Sequence, residues 1–402
     1  MQNCLGIYIE SHLIKYAKVS KEKDTFKVES FGVNFLENIS LADAIKKIVE
    51  ETYSFSTPIC INLSNENYLY YNIFSLLSKN DVQRSVQTEF EAYCDENKYN
   101  QNAFETRYAL VQNVEDKEKI KAIQIVVNKI ELNRQKQPLE KYRLTRISPV
   151  GTAIASVAKL EKKENVLIVN MEENTTITTV IDRQVYNVDT IDNGSQEVLA
   201  KINKVENSLS KAYSICKETT IYTSSVVEGT KEQPYLQYIV PTLYQICQKV
   251  QQIVSESNVK ISTIYLTGTL SAINNVDLYF QEFLSGIDCK ILRPSIVEEK
   301  TGQINIKDYI EVNTPISLAL QGLGEGIQAL NFKNMSFMDQ LKQALTADIG
   351  SKKLKGTVKA KGKENKAIDF SSFKSKLSDT ETMLLRAVSA IILINIIFII
   401  FT

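Results

Sequence analysis

The stretch LGIYIESHLIKYAKVS, residues 5–20, decides the fold because it places two strand-forming segments on either side of a short polar turn. Apolar and β-branched residues dominate both sides of the turn at residues 10–12, and a third such segment, FKVESFGVNFL, follows at residues 26–36. Apolar residues then recur at a helical spacing in LADAIKKIVEETY, residues 41–53. We therefore predict an antiparallel meander of three strands followed by a helix.

The same order of elements begins again at residue 164. Three strand-like segments, ENVLIVNM, NTTITTVID and QVYNVDTID, occupy residues 164–192, and a helical pattern follows near residues 196–202. The repetition predicts a duplicated α/β fold. The other elements predicted in this half are a helix at 203–217, a strand in ETTIYTS, a helix at 241–256, a buried strand in STIYLTGTL, and a helix capped by Thr314 with Pro315 at its first position.

An α+β segment, residues 78–147, interrupts the first half. Its helix is predicted to begin at the N-cap residue Asn80 and to present one apolar face, formed by Val82, Val86, Phe90 and Cys94. Two strand-like segments, TRYALVQNV and IKAIQIVVN, follow, and then a helical pattern at 129–142. Just before the segment, the tyrosines of ENYLYYNIF alternate as in a half-buried strand.

The C-terminal part combines a basic connector with an apolar end. Residues 351–376 contain nine lysines against Glu364 and Asp369, a net charge of +7. Residues 383–402 form an almost continuous apolar run, which as a helix would cross about 30 Å of hydrocarbon. Positive charge beside a membrane helix marks its cytoplasmic side, so we predict a single-pass protein of the cytoplasmic membrane with its body in the cytoplasm. A buried core helix is the alternative for the apolar run.

The composition excludes several kinds of site. Basic and acidic side chains number 47 each, so no overall positive field favours a nucleic-acid partner. His12 is the only histidine, which argues against histidine-based metal sites, Ser-His-Asp triads and Cys-His dyads. The six cysteines contain no C-x-x-C pair, and we expect them to be buried thiols in a reducing compartment.

Three stretches, GIYIESHLIK, VLIVNMEENTTITTVI and IYLTGTLSAI, resemble the first phosphate, second phosphate and adenosine loops of actin-like ATPases. Two more, DVQRSVQTEFEAYC and KAIQIVVNKIELNRQKQPLEKYRLTRISPVGTAIA, resemble the inserted subdomain that PilM-type proteins share with the division protein FtsA. In their order and spacing, these stretches resemble the PilM family of type IV pilus assembly proteins over about residues 4–330.

The resemblance implies a duplicated actin-like ATPase fold with an inserted α+β subdomain of the SHS2 type, followed by a basic linker and one transmembrane helix. The expected parts are subdomain 1A at 1–77 and 148–164, the inserted subdomain 1C at 78–147, the second half (2A and 2B) at 165–334, an amphipathic helix and basic linker at 335–382, and the transmembrane helix at 383–402.

In this superfamily, nucleotide binding depends on glycines that let backbone amides approach phosphates, and on carboxylates that hold the metal. The resemblance places the nucleotide contacts at Gly6, Ser11, Lys15, Asn170, Thr267 and Gly268. The loops depart from the family pattern, because Tyr8 and Asn170 stand where it has carboxylates, and Glu10 and Glu172 stand where it has glycines. A glutamate at such a turn repels a triphosphate. We therefore predict weak or absent binding of ATP with magnesium, no resident cofactor and no hydrolysis.

The resemblance implies a scaffold that joins a pilus motor and platform proteins to membrane alignment proteins. It also implies a groove on the inserted subdomain for a short peptide of a PilN-like partner, and we expect the helix bearing Val86 and Phe90 to support one wall. The segment AIDFSSFKSKLSDTETMLLRAV resembles the start of PilN. A docking peptide fused to this chain would place its anchors at Ile368, Phe370 and Phe373.

Three other functions stay open. The L component of type II secretion also joins an actin-like body to one membrane helix. An active ATPase or sugar-kinase-like enzyme could use the same fold, although the loop substitutions at Tyr8 and Asn170 argue against it. A division-type filament former would attach through an amphipathic helix such as residues 335–349. Packing of that helix onto the body is the alternative interpretation.

Overall fold

Two five-stranded sheets of the same topology form the body of the molecule. We describe it from a computed structural model, which describes residues 2–23, 25–158, 160–221, 234–294 and 306–333. The strands of the first sheet are β1 (Gln2–Ile9), β2 (Leu13–Glu22), β3 (Thr25–Phe35), β4 (Ile59–Asn62) and β8 (Leu144–Ser148). They lie in the order β3-β2-β1-β4-β8, in which β2 is antiparallel to β1 and to β3, and β4 is parallel to β1 and to β8.

The second sheet repeats this arrangement. Its strands are β9 (Asn165–Met171), β10 (Thr175–Ile181), β11 (Gln184–Ile191), β12 (Thr263–Thr267) and β13 (Asp288–Ile291). Their order is β11-β10-β9-β12-β13, again with an antiparallel meander on one side of the first strand and parallel strands on the other. The duplicated α/β fold that the two sequence meanders predict is therefore present.

A three-stranded antiparallel sheet covered by one helix forms the inserted unit. Its strands are β5 (Asn67–Phe74), β6 (Phe104–Gln112) and β7 (Lys119–Asn128), in the order β5-β7-β6, and its covering helix is α2 (Lys79–Glu96). The predicted boundaries at residues 78 and 147 need correction at both ends. The β5 strand pairs with β7 and so belongs to the insert, whereas β8 pairs with β4 of the first sheet.

Helices cover the sheets and lie between them. The other helices are α1 (Leu41–Glu51), α3 (Lys129–Lys136), α4 (Val150–Ala153), α5 (Ser195–Glu206), α6 (Leu209–Glu218), α7 (Leu236–Glu256), α8 (Val276–Phe283), α9 (Ile306–Ile310) and α10 (Asn313–Gly322). One apolar core joins α1 to the first sheet, and another joins α5, α6, α7 and α8 to the second. A third core contains residues of both sheets together with α4 and α10, so these two helices lie between the halves.

Close packing of α10 on the central strand β1 explains a glycine that the sequence places in a phosphate loop. Gly6 lies in the middle of β1, where a Cβ atom would collide with the carbonyl oxygen of Pro315 on α10. Its role is therefore to admit the helix. The motif GLGEG, residues 322–326, begins at the last residue of α10, and Gly324 and Gly326 lie beyond the helix with positive φ.

Three local predictions are corrected by side-chain and backbone hydrogen bonds. The α2 helix begins after Ser78, whose hydroxyl accepts from the Asp81 amide at 3.3 Å, and not after Asn80. Thr314 lies inside the first turn of α10, and its hydroxyl donates to the Glu172 carboxylate, so it does not cap the helix. The segment ETTIYTS contributes only an isolated bridge between Thr220 and Asn274 within its described residues, 218–221.

The predicted membrane helix, the basic linker and the docking-peptide anchors Ile368, Phe370 and Phe373 lie outside the described residues. Within the part of the chain that the structure describes, no helix is both long and apolar enough to cross a bilayer.

Candidate functional site

Three loops, one from the first half and two from the second, meet beside α10. They are the β1–β2 turn at residues 10–12, the β9–β10 turn at residues 172–174, and the segment that follows β12. The first two contact each other directly, because the backbone amide of Ser11 donates to Glu173 Oε2 at 3.1 Å and the Ser11 hydroxyl donates to Glu173 Oε1. In return, the Glu173 amide donates to Glu10 Oε1 at 3.1 Å. The two halves are therefore joined at the tips of equivalent hairpins.

A buried ion pair lies at the centre of the three loops. Lys15 of β2 has no solvent-exposed side-chain surface, and its ammonium group pairs with Glu172 Oε2, whose side chain is 1% exposed. Lys15 Nζ also donates to Thr269 Oγ1 at 2.6 Å. Burying two charges is expensive, so such a pair persists only where further hydrogen bonds satisfy both groups.

Two threonines provide those further hydrogen bonds to the Glu172 carboxylate. Thr269 donates to Oε2 through its backbone amide at 3.1 Å and its hydroxyl at 2.9 Å, and the Thr314 hydroxyl donates to Oε1 at 2.7 Å. The anion that neutralises Lys15 is thus a side chain of the protein itself. Sequence reasoning treated Lys15 and Glu172 separately and missed Thr269, because residues 15, 172 and 269 share no local pattern.

A second glutamate beside the pair stays protonated at neutral pH. Burial raises the pKa of the Glu10 carboxyl from its ordinary 4.5 to about 8; the Lys15 charge opposes this rise, and the neighbouring Glu172 and Glu173 carboxylates add to it. The cluster therefore contains three carboxyl groups around one ammonium group, and only a neutral Glu10 keeps the local charge small.

The other loop residues predicted to contact nucleotide are engaged in contacts within the protein. The Asn170 amide oxygen accepts from the Thr314 hydroxyl at 3.3 Å, and the Thr267 hydroxyl accepts from the Asn313 amide at 2.9 Å. Gly268 has φ +88°, and a Cβ atom there would lie 2.7 Å from the Met171 carbonyl carbon. The structure thus brings Ser11, Lys15, Asn170, Thr267 and Gly268 to the loop cluster but leaves Gly6 inside β1.

The N-terminus of α5, a place where backbone amides can bind phosphate, also faces the second loop. The Ser195 amide donates to the Glu172 carbonyl oxygen at 2.7 Å. An adjoining cavity of about 280 Å³ is largely apolar. Its lining includes Ser11, His12, Leu13, Leu36, Leu199 and Leu209.

Among the described residues, no group of three or more His, Cys, Asp or Glu side chains is arranged to hold a metal ion. All six cysteines are described, and each is buried and unpaired, as the sequence predicts.

The predicted groove residues Val86 and Phe90 do not line a surface. Their side chains are 2% and 3% exposed, and they pack between α2 and the insert sheet, Val86 with Ile73 and Ala122 and Phe90 with Val126. The helical spacing correctly indicates an apolar face, but the sheet of the insert covers that face. A partner that binds the insert contacts other residues.

We expect Lys15→Met to lower the free energy of unfolding by about 3–5 kcal/mol, because it leaves the Glu172 carboxylate buried without its counter-charge. The double variant Lys15→Met/Glu172→Gln should recover part of this loss, since neither charge then remains. Denaturant unfolding of the full chain in detergent measures the free energy of unfolding of both variants. Lys21→Met is the matched control, because the Lys21–Glu325 pair is 25% and 37% exposed and should contribute about 1 kcal/mol or less. Equal losses for Lys15→Met and Lys21→Met would contradict the assignment.

The protonated Glu10 makes stability depend on pH. Between pH 4.5 and about 8 the folded chain holds a proton that the unfolded chain releases, so the free energy of unfolding falls as pH rises, by about 1.4 kcal/mol per unit from this group. Glu10→Gln removes the titration and keeps an oxygen for the Glu173 amide. From pH 5 to pH 8, wild type should therefore lose up to about 4 kcal/mol relative to the variant.

Unfolding measured at several pH values tests this expectation. Burial also raises the pKa of Glu66, to about 7, but Glu66 titrates in both proteins and cancels from the comparison. Parallel pH profiles for wild type and Glu10→Gln would show that Glu10 is ionised in the folded chain.

No protein-family model and no curated protein sequence matches the chain. A chain of the PilM-PilN type IV pilus biogenesis complex is similar in structure, with a TM-score of 0.64 and 14% identity over 80% of this chain and 98% of that one. The ethanolamine utilization protein EutJ from Carboxydothermus hydrogenoformans has a TM-score of 0.46 and 9% identity, over 80% of this chain and 90% of that one. The cytoplasmic domain of EpsL, an inner membrane component of the type II secretion system of Vibrio cholerae, has a TM-score of 0.37 and 9% identity. This match covers 78% of this chain and 94% of that one. The chain therefore has the mixed α/β, actin-like fold found in the PilM-PilN complex.

Proposed function

We propose that this protein is a scaffold of a type IV pilus assembly platform at the cytoplasmic face of the inner membrane, and that it does not hydrolyse ATP. The observation that carries the proposal is the buried Lys15–Glu172 pair, in which a carboxylate of the chain neutralises the lysine at the centre of the loop cluster. The similarity of fold to a chain of the PilM-PilN complex supports the choice of system.

Electrostatics argues against a nucleotide at these loops. A triphosphate approaching Lys15 would have to displace the Glu172 carboxylate from four donors and then lie beside Glu173 as well. Displacement would also break the ion pair that joins β2 of the first half to the β9–β10 turn of the second. We infer that binding of ATP with magnesium is weak or absent, and that the fold acts through its surfaces.

A fluorescent ATP analogue titrated with magnesium into the full chain should show little saturation below millimolar nucleotide. The expected cause is competition from Glu172, so Lys15→Met should bind no more weakly than wild type. Saturation at micromolar nucleotide in wild type, abolished by Lys15→Met, would overturn the non-nucleotide role. A coupled phosphate-release assay on the same samples tests for hydrolysis.

The partner proposed for the insert is a PilN-like membrane alignment protein, with pilus motor and platform proteins binding other surfaces. Because Val86 and Phe90 are buried, the contact requires apolar residues that the insert leaves exposed. Phe74, Leu76 and Leu77, at the end of β5 and in the loop before α2, meet this requirement, and Leu76 is 97% exposed. Exposed apolar residues grouped in this way are typical of interaction sites. The docking peptide with anchors Ile368, Phe370 and Phe373 stays a prediction.

We expect Phe74→Asp/Leu76→Asp to reduce co-purification with a PilN-type protein at least tenfold, because burying two new charges opposes binding. The matched control is Tyr53→Asp/Phe55→Asp, which changes two side chains that are also strongly exposed but lie outside the insert. Similar losses in both variants, or none in either, would count against this surface. Co-purification with a type II secretion partner in place of the PilN-type protein would favour the L-type alternative.

A further inference from the structure

Two aromatic side chains protrude from the loop that follows α1, residues 52–58. Tyr53 is 83% exposed and Phe55 is 65% exposed, whereas Ser54 between them is buried. Single apolar residues on a surface are ordinary, but two large rings on one short loop are typical of an interaction site. We call Tyr53 and Phe55 the aromatic tip.

The backbone of Tyr53 has a conformation that favours glycine. At the end of α1, the Tyr53 amide donates to the Glu50 carbonyl oxygen at 3.2 Å. The Ser54 amide donates to the Val49 carbonyl oxygen at 2.8 Å. These are the hydrogen bonds of a Schellman motif, in which Tyr53 holds the left-handed position with φ +50°. A bulky side chain strains this conformation and glycine does not, so the fold does not require a tyrosine here.

Hydrogen bonds hold the loop in place beneath the aromatic tip. The Ser54 hydroxyl accepts from the Thr52 hydroxyl at 2.8 Å, and Lys18 Nζ donates to the Thr52 carbonyl oxygen at 2.7 Å. From the other side, Arg143 Nη1 donates to the Ser56 carbonyl oxygen at 3.4 Å. Because the loop is already ordered, binding through the two rings costs little conformational entropy.

The segments that flank the loop carry a net positive charge of two. They are the second half of α1, the turn at 140–143 and Lys18 of β2. Their basic residues are Lys18, Lys46, Lys47, Lys141 and Arg143, and their acidic residues are Glu50, Glu51 and Glu140. The two α1 glutamates pair with the two α1 lysines at 3.9 and 3.7 Å, whereas Lys141 and Arg143 form no ion pair with a described residue.

Protruding rings beside basic groups suit the surface of an anionic bilayer. Tyrosine is enriched at the membrane–water interface, where its ring contacts the acyl boundary and its hydroxyl contacts the headgroups. Guanidinium groups bind phosphate oxygens through paired hydrogen bonds. A protein partner would need a pocket shaped to receive each ring, whereas a lipid interface accepts a protruding ring without one. The exposure of the rings and the sign of the charge therefore favour lipid.

We propose that the aromatic tip inserts into the headgroup region of an anionic lipid bilayer, and that Arg143 and Lys141 bind lipid phosphates beside it. Apolar insertion and electrostatic attraction then act together, as in other proteins that bind membrane surfaces. The contact gives the body a membrane-facing side. This inference goes beyond the proposed function and does not depend on the pilus assignment.

A single tryptophan can report the contact, because the chain contains none. We expect the fluorescence of Phe55→Trp, in the full chain, to be quenched at least twofold by brominated acyl chains in phosphatidylglycerol nanodiscs and much less in phosphatidylcholine nanodiscs. High salt should weaken the quenching in phosphatidylglycerol. The matched reporter is Tyr244→Trp, which replaces an aromatic residue of α7 that is 45% exposed and should not be quenched.

Two further changes in the Phe55→Trp chain separate lipid binding from folding. Lys141→Gln/Arg143→Gln should reduce the quenching to the level seen in phosphatidylcholine. Tyr53→Gly should also reduce it, while the melting temperature stays equal or rises, because glycine relieves the left-handed strain.

Equal quenching of the two tryptophan reporters, or quenching that neither further change reduces, would overturn the proposal. A shift of the Phe55→Trp emission to shorter wavelength without quenching would mean that protein covers the aromatic tip, and would equally overturn it.

Discussion

The buried Lys15–Glu172 ion pair is the interaction on which the arrangement of the two halves depends. Lys15 belongs to the first sheet, and Glu172 lies on the turn after the first strand of the second sheet. Two charges can lie in a protein interior only where they are paired and fully hydrogen-bonded, which requires Thr269 and Thr314 to be in position as well. Correct placement of each loop therefore depends on the others, and the same contacts fill the centre of the cluster.

The insert joins the halves at a second place. Although it interrupts the first half of the chain, its Tyr70 hydroxyl donates to the Val188 carbonyl oxygen at 2.8 Å and accepts from the Val188 amide at 2.7 Å. Both groups lie on β11, the edge strand of the second sheet, and Lys121 Nζ lies 3.9 Å from the ring centroid of Tyr186 on the same strand. A relative rotation of the two halves would break these contacts together with those of the loop cluster.

Local patterns in the sequence predict elements well and their partners poorly. The alternation in ENYLYYNIF correctly indicates a strand, but alternation does not specify which sheet the strand joins. The insert therefore begins before the predicted boundary at residue 78, because β5 pairs with β7. The helical spacing of Val86 and Phe90 correctly indicates an apolar face, yet it cannot distinguish a face covered by a sheet from one open to a peptide. A glycine such as Gly6 allows close approach of either a ligand or a helix, so the sequence alone does not distinguish a phosphate contact from helix packing. The position of α10 identifies Gly6 as a helix-packing residue.

The pairing of Lys15 with Glu172 is the clearest case of information that no local pattern holds. The two residues are 157 positions apart, and their contact follows from the way the two duplicated halves face each other. This contact also limits how a nucleotide could move the two halves. A ligand changes a protein's shape only through its different affinities for two conformations, and separating the halves here would break the Lys15–Glu172 ion pair together with the hydrogen bonds from Thr269 and Thr314. A nucleotide would have to bind the open form more tightly than the closed form merely to offset the loss of these contacts. A body joined in this way is better suited to presenting fixed surfaces to partners than to a cycle of opening and closing.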